Sequence, residues 1–282
     1  MIEVWLFKSF ENLDGKGKPG RMLAALSRIG SAFGIGREKP TPQVSLAEAC
    51  VPDGHRAYVM GDIHGRADLL KGVLAKIETD LRTAPFNTHL VYLGDYVDRG
   101  HQSREVIDLI VDFSPPQVNV VTIAGNHEEA MLGFLEDPVG MSDWLKYGGD
   151  ATVHSYGIAV PPGVLTRAKI MAIAEALEAN LPREHRLFLE SLDDWFQLGD
   201  YMFVHAGIDP TRSLDRQNPQ QTRWMREPFL SHPRPYDKVV VHGHTITDGP
   251  EFRDNRISLD TGAYYSGLLT CVVLEGASRR VL

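Results

Sequence analysis

An alternation of short apolar runs and amphipathic helical patterns between residues 57 and 135 constrains the fold of this chain more than any other feature. Each of three runs, at residues 57–60, 89–93 and 118–124, is followed by a polar turn and then by apolar residues at helical spacing. Helices that connect strands in this way return the chain to the same end of the sheet, so successive strands are parallel. We therefore expect a mostly parallel sheet with helices on its faces.

The second half of the chain follows a different pattern. Residues 141–193 favour helices, whereas the apolar runs at 201–204, 238–241, 257–259 and 268–274 indicate short strands without long helices between them. This change predicts a second sheet, antiparallel or mixed, packed on the first. The expected fold class is α/β, a two-sheet mixed β-sandwich flanked by helices. The four tryptophans, Trp5, Trp144, Trp195 and Trp224, show no stacking periodicity and are expected to lie in the core.

Composition excludes several classes of function. The 282 residues include 29 Lys and Arg against 37 Asp and Glu, a net charge of −8, so no nucleic-acid partner is expected, because nonspecific binding needs an excess of cations. Cys50 and Cys271 show no CxxC spacing, which argues against a thiolate zinc site and favours a reducing, cytoplasmic location. No apolar run reaches the length of a transmembrane helix, about 18 residues, and the first residues do not resemble a signal peptide.

The N-terminal residues differ from the rest of the chain. We expect residues 1–45 to form a basic extension and residues 46–282 to form the catalytic domain. Apolar residues recur at helical spacing between Met22 and Phe33, with Arg21 and Arg28 nearby. Residues 20–36 are thus a candidate amphipathic helix for contact with a membrane surface or a partner, and the alternative is an extension that is poorly ordered or packed on the domain.

Polar residues cluster directly after the predicted strands. The five blocks are GDIHG at 61–65, GDYVDRG at 94–100, GNHE at 125–128, HAG at 205–207 and HGHT at 242–245. In an open α/β sheet, ligands bind beyond the carboxyl ends of the strands. We expect the five blocks to converge there and to form one site.

These five blocks, in this order, resemble those of the calcineurin-like metallophosphoesterases, and specifically the phosphoprotein phosphatase branch of that family. The resemblance covers about residues 57–273. Residues 221–227 and 259–263 are also similar to stretches of small bacterial and lambda phage serine/threonine phosphatases. One GDxHG motif alone is weak evidence, whereas five ordered blocks are specific.

The blocks supply candidate metal ligands. Asp62 and His64, two residues apart in an extended segment, can direct an oxygen and a nitrogen at one point, as a first metal ion requires, and Asp95 can bridge two ions. Such donors without thiolates suit Mn, Fe or Zn, and we expect two divalent ions, with Mn first. The resemblance implies that the second ion is held by Asp95, Asn126, His205 and His244.

His242 is the alternative to His244, because the two histidines have i, i+2 spacing and both could face a metal ion. The nuclease branch of the superfamily has a GHxH motif whose second histidine serves the first metal, but Ile246 occupies that position here. We therefore expect His244 to be the ligand and His242 to be structural or to contact a ligand.

The resemblance also implies the catalytic residues. Members of the family hydrolyse phosphoesters with a metal-activated hydroxide, so no covalent phosphoenzyme is needed. His127 corresponds to the general acid and Asp98 to the carboxylate that orients it. Arg99 and Arg226 correspond to groups that hold the phosphate oxygens, for which a planar guanidinium is suited. Arg223, one helical turn from Arg226, is the competing candidate.

The expected function is hydrolysis of phosphoserine or phosphothreonine in proteins by a metal-dependent phosphoesterase. Symmetrical dinucleoside tetraphosphate hydrolases share the resemblance, so a nucleotide polyphosphate is the alternative substrate. An inactive phosphate-binding or scaffold protein is the alternative of a different class. Substrate choice is expected to depend on the loops at 137–163 and 209–235.

Overall fold

The computed structural model describes residues 43–85 and 87–282, which all belong to one compact unit. The predicted contact segment at 20–36 and almost all of the predicted extension lie outside these residues. Val44 forms a backbone bridge with Tyr236, and the Val44 and Leu46 side chains pack against the core. The division of the chain at residue 45 stays a prediction.

The first sheet contains the three predicted parallel strands. In the order β10-β9-β1-β2-β3, parallel pairing joins β1 to β2 and β2 to β3, while β9 and β10 add antiparallel strands at one side. Its strands are β1 (His55–Met60), β2 (Asn87–Tyr92), β3 (Val118–Thr122), β9 (Cys271–Glu275) and β10 (Ser278–Val281).

The second sheet is mixed, as the sequence predicts. In the order β4-β5-β6-β8-β7, its central strands β5, β6 and β8 are parallel and its two outer pairs are antiparallel. Its strands are β4 (Trp195–Leu198), β5 (Tyr201–Val204), β6 (Val239–His242), β7 (Glu251–Phe252) and β8 (Arg256–Ser258).

The assignment of the run at 268–274 to the second sheet is wrong. Its strand is β9, which pairs with the edge of β1 that β2 leaves open. Side chains on one face of β9, such as Val272, pack between the sheets, and Val273 packs on the other face with the helices. A run buried on both faces fits either sheet equally well, so its local pattern cannot identify its partner strand.

Helices cover the outer face of the first sheet. Alternate residues of β1 separate the two layers, because Tyr58 and Met60 face the helices whereas Ala57 and Val59 face the second sheet. The helices are α1 (Ala67–Asp80), α2 (Ser103–Asp112), α3 (Asn126–Glu136), α4 (Gly149–Ser155), α5 (Arg167–Asn180), α6 (Arg183–Glu190), α7 (Pro219–Trp224) and α8 (Ala263–Ser266), with 3₁₀ turns at Leu81–Thr83, Ser142–Tyr147 and Leu214–Arg216.

This sandwich confirms the expected fold class. The two sheets enclose an apolar cluster to which both contribute, including Val91 from β2 and Phe203 from β5. Five of the six parallel strands, β1, β2, β3, β5 and β6, end within one of the five polar blocks or at most two residues short of it. Their carboxyl ends meet, since the His205 Nδ1 that follows β5 lies 2.8 Å from the Leu93 carbonyl oxygen that follows β2.

Two expectations concern the chain more broadly. Cys50 and Cys271 are both free thiols, as their spacing predicts. Within the part of the chain that the structure describes, no helix combines the length and apolarity that crossing a membrane requires.

Candidate metal centre

The turns that follow the strands have an unusual backbone. Five non-glycine residues in the described ranges adopt the left-handed region, with φ between 45° and 73°, and all five are predicted site residues. Each such conformation costs about 1–3 kcal/mol and persists only where surrounding contacts hold it. The residues are His64, Asp95, Asp98, Arg99 and His244. Three of the five polar blocks, GDIHG, GDYVDRG and HGHT, are therefore strained turns that direct side chains to one place.

Two histidines are oriented by backbone carbonyls. His64 Nδ1 lies 2.9 Å from the Val97 carbonyl oxygen, and His205 Nδ1 lies 2.8 Å from that of Leu93. A carbonyl can only accept, so Nδ1 carries the proton and donates it in both rings, which leaves the Nε2 lone pair free. Both Nε2 atoms point at Asp95, at 3.3 Å for His64 and 3.4 Å for His205. This tautomer is the one that a metal ligand needs.

Asp95 is shared by two groups of donor atoms. One group consists of Asp95 with His64 and His127, and the other of Asp95 with His205 and His244, and the donor atoms of each lie within 4.8 Å of one another. The two groups share Asp95 because it uses Oδ2 toward His64 and Oδ1 toward His205. The Asn126 side-chain oxygen joins the second group, 3.0 Å from His205 Nε2. The two donor groups are therefore adjacent and share one carboxylate.

Asp62 lies beside these two groups, and only one of its two carboxylate oxygens accepts a hydrogen bond. Its Oδ2 accepts the backbone N–H of His244 at 3.0 Å, while its Oδ1 is buried and has no hydrogen-bond partner. A Cβ on Gly243 would come within 1.9 Å of that Oδ1, so the close approach requires glycine. Burial, together with the charges of Asp260 and Asp95, raises the pKa of Asp62 well above its usual range.

These features fit divalent cations. A buried carboxylate oxygen without a hydrogen-bond donor destabilises the fold, and a bound cation would compensate its negative charge. Burial also lowers the pKa of His64 to about 3 and holds the pKa of His205 below its usual range, so both rings are neutral at physiological pH and able to coordinate. The residues that would hold two ions are Asp62, His64, Asp95, Asn126, His205 and His244.

His242 lies apart from the two donor groups. Its side chain is fully buried, its Nδ1 lies 3.0 Å from the Gly243 carbonyl oxygen, and its ring packs edge-on against Phe229. Burial lowers the pKa of His242 to about 3. Its Nε2 is buried without a hydrogen-bond partner, and the structural role of His242 stays a prediction.

His127 and Asp98 form a buried pair beside the donor groups. The His127 Nδ1 atom lies 2.6 Å from Asp98 Oδ2. Although burial opposes it, the charge of Asp95 and the bond to Asp98 raise the pKa of His127 to about 9. The Nη2 atom of Arg99 lies 3.3 Å from His127 Nε2. A guanidinium only donates, so that contact is a hydrogen bond only after Nε2 has lost its proton.

Tyr264 extends this arrangement, although the sequence analysis did not single it out. Its hydroxyl accepts from Arg99 Nη1 at 3.0 Å, and its ring lies edge-on to the His64 ring with centroids 5.6 Å apart. The start of α8 thereby fixes the direction of the Arg99 guanidinium.

The two candidate arginines at 223 and 226 differ in their surroundings. Arg223 donates to Glu129 on α3 at 3.2 Å and to Asp194 at 2.6 Å, so both of its terminal nitrogens contact carboxylates. Burial lowers the pKa of His244 well below its usual range, and the positive charges of His205 and Arg226 lower it further.

Glu128 belongs to the predicted GNHE block, but no role was predicted for it. Its carboxylate accepts the backbone N–H groups of Asp95 at 2.9 Å, Tyr96 at 2.7 Å, Val97 at 3.2 Å and Gly125 at 3.0 Å. These four bonds hold the strained turn that carries Asp95. Its place in the GNHE block was the available signal.

Asp260 is a second residue that the prediction omitted. It lies two residues after the end of β8, much as the predicted blocks follow their strands, and it is buried beside Asp62. Burial raises the pKa of Asp260 to about 6. The rule that located the other blocks, a polar residue shortly after a strand, applies to it as well.

Fold and site together define a metal-dependent phosphoesterase. The family model of the calcineurin-like phosphoesterases matches residues 55–267, and the chain belongs to that family. It is 27% identical over 234 residues to an asymmetrical bis(5'-nucleosyl)-tetraphosphatase of Anoxybacillus flavithermus, covering 76% of this chain and 88% of the relative.

Relatives of other specificity are about equally similar. Serine/threonine-protein phosphatase 2 of Salmonella typhimurium is 26% identical over 219 residues, with 76% of this chain and 90% of the relative covered. A solved structure described as a candidate diadenosine tetraphosphatase superposes with a TM-score of 0.56 at 20% identity, covering 80% of this chain and 92% of the other, and it supports the fold.

Proposed function

We propose that this chain hydrolyses phosphomonoesters of serine and threonine in proteins, with two divalent cations at the candidate metal centre. The convergence of His64, Asn126, His205 and His244 on Asp95, beside the His127–Asp98 pair, is the observation that carries the proposal. Bound cations would polarise the attacking water and the phosphoryl oxygens. Manganese as the ion and a cytoplasmic location remain predictions of the sequence.

The residues around the centre have separate tasks in this proposal. Arg99 and Arg226 hold the nonbridging phosphate oxygens, and Tyr264 fixes the direction of the Arg99 guanidinium. His127 donates the proton on Nε2 to the departing alkoxide. Its Nδ1 keeps its own proton, which is hydrogen-bonded to Asp98. Once Nε2 has lost its proton it can accept from Arg99, which stabilises the neutral imidazole.

A metal-restoration assay tests the reaction class. Protein stripped with a chelator should not hydrolyse an aryl phosphate, and added Mn²⁺ should restore turnover. An inactive phosphate-binding protein would bind phosphate in the presence of the ion without turnover, and that outcome would overturn the proposal.

A dinucleoside tetraphosphate is the second candidate substrate, because relatives with that named activity are as similar to the chain as the protein phosphatase is. The two are separated by kcat/KM for a phosphothreonine peptide and for diadenosine tetraphosphate, measured side by side. We expect the peptide to be preferred. A preference of about 100-fold for the nucleotide, about 2.7 kcal/mol of transition-state stabilisation, would reverse the assignment.

A further inference from the structure

The Asp98 carboxylate is held by two side chains outside the five polar blocks. Asp98 is fully buried, and its Oδ2 accepts both His127 Nδ1–H at 2.6 Å and the indole N–H of Trp144 at 2.7 Å. Its Oδ1 accepts the hydroxyl of Thr152 at 2.7 Å. Trp144 belongs to the 3₁₀ turn Ser142–Tyr147 and Thr152 to α4, so both come from the helical region after α3.

The same region also holds the backbone that carries Asp98. The Asp98 N–H lies 2.8 Å from the Thr152 hydroxyl oxygen and 3.1 Å from that of Ser103. The Arg99 N–H donates to the Gly148 carbonyl at 3.1 Å. Gly148 itself has φ 111°, and a Cβ there would lie 2.6 Å from the Arg99 nitrogen. Two consecutive left-handed residues, Asp98 and Arg99, are thus fixed by residues 144–152.

This arrangement determines the direction of the His127 ring. With Oδ1 bound by Thr152 and Oδ2 bound by Trp144, the carboxylate cannot rotate, and its remaining short bond is the one to His127 Nδ1. Because the acceptor of the Nδ1 proton cannot move, the ring is held with its other nitrogen, Nε2, facing Arg99. A general acid must be placed within hydrogen-bond distance of the leaving oxygen, and small displacements reduce the rate strongly.

We propose that Trp144 and Thr152 are positioning residues of the reaction, which act through Asp98 to aim His127 Nε2 at the leaving group. The inference rests on the proposed function of His127. It assigns the helical region after α3 a role in catalysis, in addition to the role in substrate choice that the sequence suggests for residues 137–163.

A purely structural role is the competing explanation. Trp144 is buried in the core and its ring packs on Phe134, with centroids 4.9 Å apart. Loss of this packing would lower stability and affect all substrates alike. Loss of aim at the leaving group would affect poor leaving groups most, because they depend on proton donation.

Substitutions at Thr152 separate the two roles. Thr152→Val retains the shape and removes the hydroxyl, whereas Thr152→Ser retains the hydroxyl. In the Mn²⁺-loaded protein, we expect Thr152→Val to lower kcat for a phosphothreonine peptide by about 10-fold and for an aryl phosphate by less than about 3-fold, with little change in KM. Thr152→Ser should restore kcat for the peptide to within about 2-fold of the unsubstituted protein. Equal losses on both substrates would overturn the inference.

Trp144→Phe gives an independent test, with Phe134→Leu as its control. Both variants reduce packing at the same contact, but only Trp144→Phe removes the donor to Asp98. We expect a selective loss on the alkyl phosphate for Trp144→Phe alone. The same leaving-group dependence in both variants would reduce Trp144 to a packing role.

A spectroscopic measurement on metal-free protein completes the design. The short bond between His127 Nδ1 and Asp98 should give a strongly downfield proton NMR signal, assigned by its loss in His127→Asn. Thr152→Val and Trp144→Phe should shift or broaden this signal, and Phe134→Leu should not. An unshifted signal in Thr152→Val and Trp144→Phe would contradict the positioning role, even if the unsubstituted protein hydrolysed neither substrate. A shifted signal in a protein that hydrolyses neither substrate would reject only the proposed function.

Discussion

A cluster of charged side chains lies at each end of strand β1, and the two clusters differ in burial and in how their charges are balanced. At the amino end, Arg56 pairs with Asp80 at 3.0 Å and with Glu275 at 2.6 Å, and the Tyr58 hydroxyl and Arg280 also donate to Asp80. We call these five residues the amino-end cluster. At the carboxyl end, the carboxylates of Asp62, Asp95 and Asp260 lie together in what we call the carboxyl-end cluster.

The difference shows what separates a structural ion network from a functional site. In the amino-end cluster each carboxylate meets a guanidinium, and the backbone is ordinary. The carboxyl-end cluster contains like charges, the orphaned Asp62 Oδ1 and left-handed residues such as Asp95. Like charges in a buried site are tolerated when a bound cation compensates them. The charge imbalance therefore distinguishes the candidate metal centre from the amino-end cluster.

Removal of one carboxylate from each cluster should give opposite phenotypes. Asp95→Asn should lower phosphoester turnover by about 10³-fold or more, because the residue serves both donor groups. Asp80→Asn should leave kcat nearly unchanged and lower the free energy of unfolding by about 2 kcal/mol, the usual cost of losing hydrogen bonds to a charged group. Steady-state kinetics and urea unfolding measure the two effects. Equal activity losses would remove the distinction between the clusters.

Two histidines, one at the start of α3 and one within β2, sharpen the comparison. His127, in the candidate metal centre, should be essential for poor leaving groups, so His127→Asn should lower kcat for a phosphothreonine peptide by about 10²-fold, with a smaller loss on an aryl phosphate. His89→Asn changes a histidine within β2 that contacts His55, and this substitution should leave kcat unaffected. Metal content should be unchanged in both variants. Equal losses for His127→Asn on the two substrates would contradict its role as the acid.

The arginine pair tests the comparison within one short segment. Arg226→Ala should raise KM by about 10-fold, because a guanidinium that holds phosphate oxygens contributes to binding. Arg223→Ala removes ion pairs to Glu129 and Asp194 and should mainly lower stability. If Arg223→Ala raises KM and Arg226→Ala does not, the two assignments must be exchanged.

The contribution of Asp80 to stability should depend on pH, and this is the smallest of the expected effects. Burial would raise its pKa, but the Tyr58 hydroxyl and the charges of Arg280 and Arg56 hold the pKa of Asp80 below its usual range. The carboxylate therefore stabilises the fold above the pKa that it has in the unfolded chain, and this stabilisation disappears as the pH falls through its lower pKa in the folded protein. The difference in unfolding free energy between the unsubstituted protein and Asp80→Asn should shrink between pH 5 and pH 2. A constant difference would show that the ionised form is not favoured.

The sequence was sufficient for the parallel strands and the convergence of the blocks, because both follow from local periodicity and from the polarity of residues after strands. It was insufficient for β9, whose partner strand depends on which sheet edge is open. Trp144 was expected in the core and is buried there, but its bond to Asp98 joins residues 46 positions apart. A tryptophan between Asp143 and Leu145 gives no local sign of such a partner.

The most direct test of the metal centre is the number of ions that the chain retains. Elemental analysis after Mn²⁺ loading and dialysis should find two ions per chain in the unsubstituted protein and in Asp80→Asn, and fewer than one in Asp95→Asn, because Asp95 contributes to both donor groups. Two ions retained by Asp95→Asn, or none retained by the unsubstituted protein, would contradict a two-ion centre built around Asp95.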